Sequence, residues 1–155
     1  MRKALDLAQQ SFSELEVPVG AVVVKDNKII STGRNRRELG KNALYHAEIE
    51  AIDGACKILN SWRLSDCDLY VTLEPCPMCA GAIINSRVKR LIFGAKDPKA
   101  GSCGSVVNLF NLPYNHKPEI ISGVLEADCS KALKNFFKFL RFFKKSACNF
   151  NFDVL

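Results

Sequence analysis

"DLYVTLEPCPMCAGAIINSRVKRLIFGA", residues 68–95, sets the fold class of this chain. Its first seven residues are typical of a β-strand, "PMCAGAIINS" of a helix, and "RLIFGA" of a second strand. Pro75 disfavours helical backbone at Glu74 and so ends the first strand, while the fixed φ of a proline suits the start of a helix. A helix between two apolar strands is the pattern of an α/β sheet.

The flanking segments extend this pattern. Helical spacing predicts helices at 2–12, at 46–59 and from about Asp128. Two apolar runs around Asp26-Asn27 predict a hairpin at 18–35, and residues 119–125 are a possible strand. Because helices separate the strands, we expect an α/β sheet covered by helices on both faces and a single domain.

Composition narrows the class of protein. The 155 residues are 48% hydrophobic and 25% charged, as in soluble globular domains. No apolar run approaches the roughly 20 residues that span a bilayer, and the N-terminus lacks the apolar core of a signal peptide. We therefore expect a cytoplasmic protein without a membrane partner. The seven cysteines are an odd number, which weighs against a disulfide framework.

The net positive charge of the chain comes from residues 131–145. This segment holds six basic residues and no acid, so it accounts for the whole net charge of +6. Four of its lysines and one arginine recur at intervals of three and four, which places them in one stripe along a helix. The stripe is either a solvated helix face or a phosphate-binding patch. Five phenylalanines lie beside it, and we expect most of them to pack in the core or in a dimer interface: Phe136, Phe137, Phe139, Phe142 and Phe143.

Cys76 and Cys79 have the spacing of a redox pair, half of a structural metal clip, or part of a catalytic site. Together with His46 they provide three ligands that zinc prefers, which leaves the fourth tetrahedral position for water. A closed structural site needs four protein ligands, and the only other histidine, His116, has no second ligand beside it. An open catalytic site therefore fits better than a structural one.

Glu48 strengthens the catalytic interpretation. It follows His46 by two positions, where its carboxylate can reach a zinc-bound water without binding the metal. Zinc lowers the pKa of such a water towards about 7, and a nearby carboxylate can take up and pass on its proton. A purely structural zinc site has no use for such a group.

Together these residues resemble a known family. The pair H-A-E and P-C-x-x-C is the signature of zinc-dependent nucleobase deaminases. The resemblance to the bacterial tRNA adenosine deaminases is closer and covers roughly residues 4–141; it includes "EVPVGAVVV" (16–24), "FGAKDPKAG" (93–101), "NHKPE" (115–119) and "FF" (136–137). It implies a three-layer α/β/α cytidine deaminase-like fold, with a central mixed sheet of about five strands flanked by helices. It also implies one zinc-dependent deaminase domain at 1–145, followed by a tail at 146–155 whose role is unknown.

The resemblance assigns an activity and a cofactor. It implies hydrolytic deamination of adenosine to inosine at the wobble position of a tRNA anticodon, by a homodimer with one Zn²⁺ per subunit. His46, Cys76 and Cys79 would bind the zinc, and Glu48 would shuttle the proton from water to the purine and then to the departing ammonia.

The resemblance also assigns contacts to the substrate. Asn35 and Ala47 would position the base, although an asparagine after Gly-Arg, taken alone, is more often a turn residue. Asp97 and Lys99, otherwise a surface turn, would contact the anticodon stem-loop. In the last helix the implied RNA contacts are Phe137, Lys138 and Arg141.

Two other functions remain open at this point. A deaminase of a free purine or nucleoside such as guanine would share the zinc, Glu48 and the fold without needing the basic helix. A non-catalytic, zinc-stabilised RNA-binding module would not need Glu48. The chain also departs from the family before His46, where 42–45 reads Asn-Ala-Leu-Tyr in place of the common Asp-Pro-Thr-Ala.

Overall fold

The structure is a computed structural model that describes residues 1–148. Its helices and strands follow one another in this order: α1 Arg2–Ser13, β1 Gly20–Lys25, β2 Lys28–Arg34, α2 Arg37–Gly40, α3 Ala47–Leu59, β3 Asp68–Leu73, α4 Pro77–Asn85, β4 Arg90–Ala95, β5 Glu119–Ile121 and α5 Glu126–Cys148. No helix in this part of the chain is both long enough and apolar enough to cross a membrane.

The five strands form one mixed sheet in the order β2-β1-β3-β4-β5. β1 is antiparallel to both β2 and β3, whereas β3, β4 and β5 are parallel to one another. The parallel pair β3–β4 is joined through α4, as expected for the strand–helix–strand pattern of residues 68–95. The predicted α/β fold with a central mixed sheet of five strands is confirmed.

Helices cover both faces of the sheet. Ala21 and Val23 of β1 face the large core beneath α3 and α4, whereas Val22 between them faces α1. α5 lies on the same face as α1, where the rings of Phe12 and Phe136 meet edge to face at 5.4 Å. The alternation of side chains along β1 therefore separates two apolar layers, and this gives the three-layer architecture.

Two glycines allow close approach of helices to the sheet. A Cβ atom on Gly20 would lie 2.1 Å from the carbonyl oxygen of Ala4 in α1, and one on Gly33 would lie 2.1 Å from that of Ala47 in α3. Because no side chain fits at either position, the start of α3 lies directly against β2. This contact brings His46 and Glu48 close to the sheet.

The ends of the chain differ from the sequence prediction. β5 has only three residues because the chain turns at Gly123 and Leu125, whose φ values are 82° and 54°. α5 begins at Glu126, two residues earlier than expected, and continues to Cys148. The domain boundary at residue 145 stays a prediction. Residues 149–155 of the predicted tail lie outside the described part of the chain.

Candidate active site

Two helix starts meet at the candidate site. His46 is the N-cap of α3 and Cys76 is the N-cap of α4, both with extended backbone, and Cys79 lies in the first turn of α4. Pro77 begins α4, at the position where a proline costs no hydrogen bond. The strand β3 ends at Leu73, so the two cysteines lie just beyond the carboxyl end of a central strand, where open α/β sheets place their sites.

The three predicted ligands come together. The Nδ1 atom of His46 lies 3.6 Å from Sγ of Cys76 and 3.5 Å from Sγ of Cys79, and the three atoms lie within 4.8 Å of one another. Nitrogen and sulfur ligands around a tetrahedral zinc are separated by about 3.6 Å, given metal–ligand distances of about 2.0–2.3 Å. The donor set and its spacing therefore fit a zinc ion, and in residues 1–148 this is the single group of three such side chains.

Hydrogen bonds within the cluster prepare it for a cation. A hydrogen bond from Cys79 lowers the pKa of Cys76 to about 4, and His46 acts in the same direction. The pKa of Cys79 is raised because its thiol bonds to the Cys76 sulfur and is buried. The hydrogen bond to Cys76 raises the pKa of His46. The cluster already carries one thiolate, and binding a metal would release the remaining protons.

Glu48 lies beside the cluster without joining it. Its side chain is buried, and this burial raises its pKa to about 7. Glu48 is close enough to Cys79 to contribute to the raised pKa of that thiol. A carboxyl group in such a position can both accept and donate a proton near neutral pH.

A cavity of about 220 Å³ opens onto the cluster. Ligand pockets for drug-sized molecules begin at about 300 Å³, so this cavity suits a smaller group such as one nucleobase. Its wall combines apolar side chains with polar and charged ones. The lining residues are Val17, Val19, Asn35, Arg37, His46, Ala47, Glu48, Leu73, Glu74, Cys76, Asp97 and Ala100.

Asn35 lies in the wall of this cavity and is held there by hydrogen bonds. It is 5% exposed, its backbone N–H donates to the Val19 carbonyl at 3.0 Å, and its own carbonyl accepts from Ser11 Oγ at 3.0 Å. Its side-chain Nδ2 donates to Glu16 Oε2 at 3.2 Å. Asn35 is thus a buried residue in the wall of the cavity and not an exposed turn residue, and its contact with a base stays a prediction.

The loop after β4 is held by a buried carboxylate that sequence reasoning did not identify. Glu74, 2% exposed, accepts hydrogen bonds from the backbone N–H groups of Asp97 (3.0 Å), Cys103 (2.9 Å) and Ser105 (3.1 Å), and from the Ser105 hydroxyl. Burial alone would raise the pKa of this carboxyl, but these hydrogen bonds outweigh it and hold the pKa below its usual range. Asp97 thereby lines the cavity. Lys99 lies outside it, with its N–H bonded to Asp97 Oδ1 at 2.9 Å.

The predicted contacts in α5 lie apart from the cavity. Phe137 is 43% exposed, Lys138 and Arg141 are exposed, and none of the three lines the cavity. Of the five phenylalanines in this helix, only Phe136 is buried within the chain. Packing of the other four in a dimer interface stays a prediction. His116 also lies outside the cluster, with Nε2 at 2.7 Å from the Val88 carbonyl.

Comparison with known proteins agrees with these features. The family model of the MafB19-like deaminases matches residues 1–141. The tRNA-specific adenosine deaminase of Bacillus subtilis (strain 168) is 48% identical over 148 residues, which cover 95% of this chain and 92% of that protein. A solved structure from work on A-to-I editing by tRNA:A34 deaminases matches with a TM-score of 0.84 at 43% identity, covering 86% of this chain and 97% of that one.

A second kind of deaminase is similar as well. The guanine deaminase of Bacillus subtilis matches with a TM-score of 0.61 at 34% identity, covering 86% of this chain and 90% of that one. Both its TM-score and its identity are lower than those of the A34 deaminase structure. The comparisons therefore favour the wobble deaminases over the guanine deaminases.

Proposed function

The chain belongs to the MafB19-like deaminase family and, within it, to the tRNA-specific adenosine deaminases, and we propose that it converts the wobble adenosine of a tRNA anticodon to inosine. The single observation that carries this proposal is the cavity, in which Glu48, Asn35 and two members of the cluster, His46 and Cys76, face one small volume. The tRNA substrate is inferred from the names of its relatives, and the volume of the cavity supports binding of a single base.

The cofactor that we propose is one zinc ion per subunit, held by His46, Cys76 and Cys79. When bound there, zinc supplies the Lewis acidity that activates a water molecule at neutral pH. The spacing of the three donor atoms supports this choice. Because only three side chains meet there, one position is left for a reactant, as in catalytic zinc sites.

Glu48 moves the protons of the reaction. Its carboxylate takes one proton from the water that attacks C6 of adenine and delivers it to the purine ring. A second proton passes through the same carboxyl group to the departing amine, so that water is consumed and ammonia leaves. Its burial against Cys79 supports this role, because the carboxyl is fixed close to the cluster and shielded from bulk water.

The walls of the cavity position the base. Val17, Val19 and Leu73 provide apolar surface for the purine, and Asn35 provides a side-chain amide at the same wall. Ala47 lines the cavity at the start of α3, where backbone N–H groups have no partner within the helix. These contacts would orient C6 of the base towards Glu48.

The anticodon stem-loop would extend beyond the cavity. An anticodon loop presents its bases unpaired, so the target adenosine can enter the cavity without disruption of a duplex. We propose that Asp97, Lys99, Phe137, Lys138 and Arg141 contact the flanking nucleotides and that the basic stripe of α5 binds their phosphates. A tRNA substrate also implies a cytoplasmic enzyme.

We further propose that the enzyme acts as a homodimer. The segment after the Glu74-bound loop exposes four large apolar side chains that a second copy would cover. These are Val106 (58% exposed), Val107 (42%), Leu112 (42%) and Tyr114 (49%).

The decisive experiment offers three substrates to the purified protein: an anticodon stem-loop with adenosine at the wobble position, free adenosine and free guanine. Nuclease digestion and mass spectrometry should detect inosine in the stem-loop alone. Turnover of free guanine without inosine formation would identify a guanine deaminase. Tight binding of the stem-loop without any turnover would identify a binding module.

A further inference from the structure

Glu16 is a buried acid that the proposed reaction does not use. It is 1% exposed, yet no basic side chain within residues 1–143 pairs with it. Buried carboxylates are rare unless other groups satisfy them. Here the partners are two N–H donors, the Asn35 side-chain Nδ2 at 3.2 Å and the Leu39 backbone N at 2.7 Å.

The carboxylate determines how the Asn35 amide is turned. An asparagine side chain has one end that donates and one that accepts, and the two ends have nearly the same shape. Both oxygens of the Glu16 carboxyl group accept from N–H donors, so Glu16 selects the orientation in which Nδ2 points towards it. The backbone of Asn35 is fixed on both sides by Val19 and Ser11, which leaves rotation of the amide as its main freedom.

The opposite end of the amide is therefore directed at the cavity. Oδ1 of Asn35 has no protein partner, yet no fully buried side-chain oxygen or nitrogen in the described part of the chain lacks one. Oδ1 must then be accessible, and the space that Asn35 lines is the cavity beside Glu48. The base thus meets an oxygen acceptor at this point.

Glu16 also holds the rim of the cavity. Its Oε1 accepts from Leu39 N in the short helix α2, which begins at the cavity-lining residue Arg37. One carboxylate thus links the amide in the wall to the helix at the mouth. This second bond is the shorter of the two, so it is expected to survive a change of the Glu16 side chain better than the first.

We propose that Glu16 is a positioning residue that fixes the Asn35 amide in one of its two orientations and thereby sets the hydrogen-bonding pattern that the cavity offers to the purine. This inference rests on the proposed function, in which the cavity receives the target base. Glu16 itself does not touch the base.

The variant that tests this inference is Glu16→Gln. Glutamine has the same size, but one end of its side chain donates. If its oxygen keeps the Leu39 N–H, its NH₂ group faces Asn35, whose amide must rotate to accept from it. The rotated amide then presents N–H groups to the cavity in place of Oδ1. We expect kcat/KM for the stem-loop to fall about tenfold, the equivalent of about one hydrogen bond, while zinc content stays at one per subunit.

A double-mutant cycle shows whether Glu16 acts through Asn35. Asn35→Ala removes the amide, so adding Glu16→Gln should then cause no further loss of kcat/KM. An equal loss in the presence and absence of the amide would overturn the inference, because Glu16 would then act through Leu39 or through the fold. Glu14→Gln is the matched control, since that acid pairs with Arg34 at the surface and should leave kcat/KM unchanged.

A compensating variant keeps the test decisive if Glu16→Gln lowers stability. In Glu16→Gln/Asn35→Asp, the glutamine NH₂ donates to one aspartate oxygen while the other oxygen still faces the cavity. This variant should regain both the unfolding midpoint and most of kcat/KM relative to Glu16→Gln, and regain of the midpoint alone would overturn the inference. Wild-type protein that forms no inosine would refute the proposed function instead, and the same cycle would then be run on free guanine if that is its substrate.

Discussion

Nδ1 of His46 and Sγ of Cys79 lie 3.5 Å apart although 33 positions separate them in the chain. The contact exists because α3 and α4 both start beside the carboxyl end of β3, with His46 and Cys76 as their N-caps. Two helix N-termini favour negative charge, and thiolates carry it there. The packing of the two helix starts thus brings the ligands of a cation site together.

Loss of one ligand should remove the metal. We expect His46→Ala and Cys79→Ala to fall from about one zinc per subunit to nearly none, because two remaining ligands do not hold zinc tightly. Mass spectrometric metal analysis after dialysis measures this ratio. Cys56→Ala is the matched control, since the Cys56 thiol lies outside the cluster and its hydrogen bond goes to the Trp62 carbonyl. Zinc retained in both ligand variants would contradict the assignment of the site.

Removal of the proton carrier should separate metal binding from catalysis. Glu48→Gln keeps the shape of the side chain but not its ability to take up a proton. We expect inosine formation to fall by about 10²- to 10⁴-fold at unchanged zinc content, the range for loss of a general acid or base. Asp53→Asn, an exposed acid on the same helix, should leave the rate unchanged. Full activity of Glu48→Gln would exclude the proposed mechanism.

The sequence predicted the catalytic cluster because few residue types can perform its chemistry. Histidine and cysteine are recognisable as metal ligands from residue type alone, and Glu48 was recognisable because it lies two positions from His46. The roles of Glu16 and Glu74 depend on their burial, which follows from how β1, β3 and the loops pack. Their one signal in the sequence is an acid within an apolar stretch, in "ELEVPVG" and "VTLEPCP", and this signal is also compatible with a surface position.

The helices and strands were likewise predictable only in part. α1, α3 and the β1–β2 hairpin were predictable because their periodicity extends over many residues, and the positive φ values of Asp26 (49°) and Asn27 (59°) match the turn that the sequence indicates. α2 has four residues and β5 has three, too few for a periodic pattern. The phenylalanines of α5 cover more than one face, and the sequence alone does not show which of them meets α1.

The Glu74 carboxylate should stabilise the loop that lines the cavity. In Glu74→Gln the NH₂ group would face backbone N–H donors that Glu74 now accepts from, and unsatisfied donors cost about 1–3 kcal/mol each. We expect the free energy of unfolding to fall by about this amount and hydrogen exchange to accelerate at Asp97, Cys103 and Ser105. Urea titration and exchange measurements test both. Glu119→Gln, an exposed acid on β5, should change the stability by less than about 0.5 kcal/mol.

The basic stripe should contribute to binding through phosphates. We expect Lys138→Ala and Arg141→Ala each to weaken binding of the stem-loop and to reduce the slope of log K against log salt by about 0.7–0.9. Zinc content and thermal stability should not change, because both side chains are exposed. Lys28→Ala provides a control with the same change of charge, since Lys28 lies on the edge strand opposite β5. An unchanged slope in both α5 variants would place the RNA elsewhere on the protein.

Substitution of two adjacent phenylalanines should affect two different properties, the stability of the fold for Phe136 and the binding of RNA for Phe137. Phe136 is 1% exposed and meets Phe12 beneath α1, whereas Phe137 is 43% exposed. We expect Phe136→Ala to lower the free energy of unfolding by about 3–5 kcal/mol, as is typical for a buried aromatic side chain. Phe137→Ala should leave that free energy within about 0.5 kcal/mol but weaken stem-loop binding by about 1–3 kcal/mol, through the loss of stacking on an unpaired base.

Denaturant titration and fluorescence anisotropy of both variants, each measured with and without the stem-loop, separate the two effects. The contact between Phe136 and Phe137, with ring centroids 5.4 Å apart, allows one complication, because removal of the buried ring can shift its exposed neighbour. Phe136→Leu fills most of the volume and keeps Phe137 in place, so it should bind the stem-loop normally. Normal binding by Phe137→Ala would show that the exposed ring does not stack on the RNA, whereas weaker binding by Phe136→Leu would show that binding also depends on the packing beneath that ring.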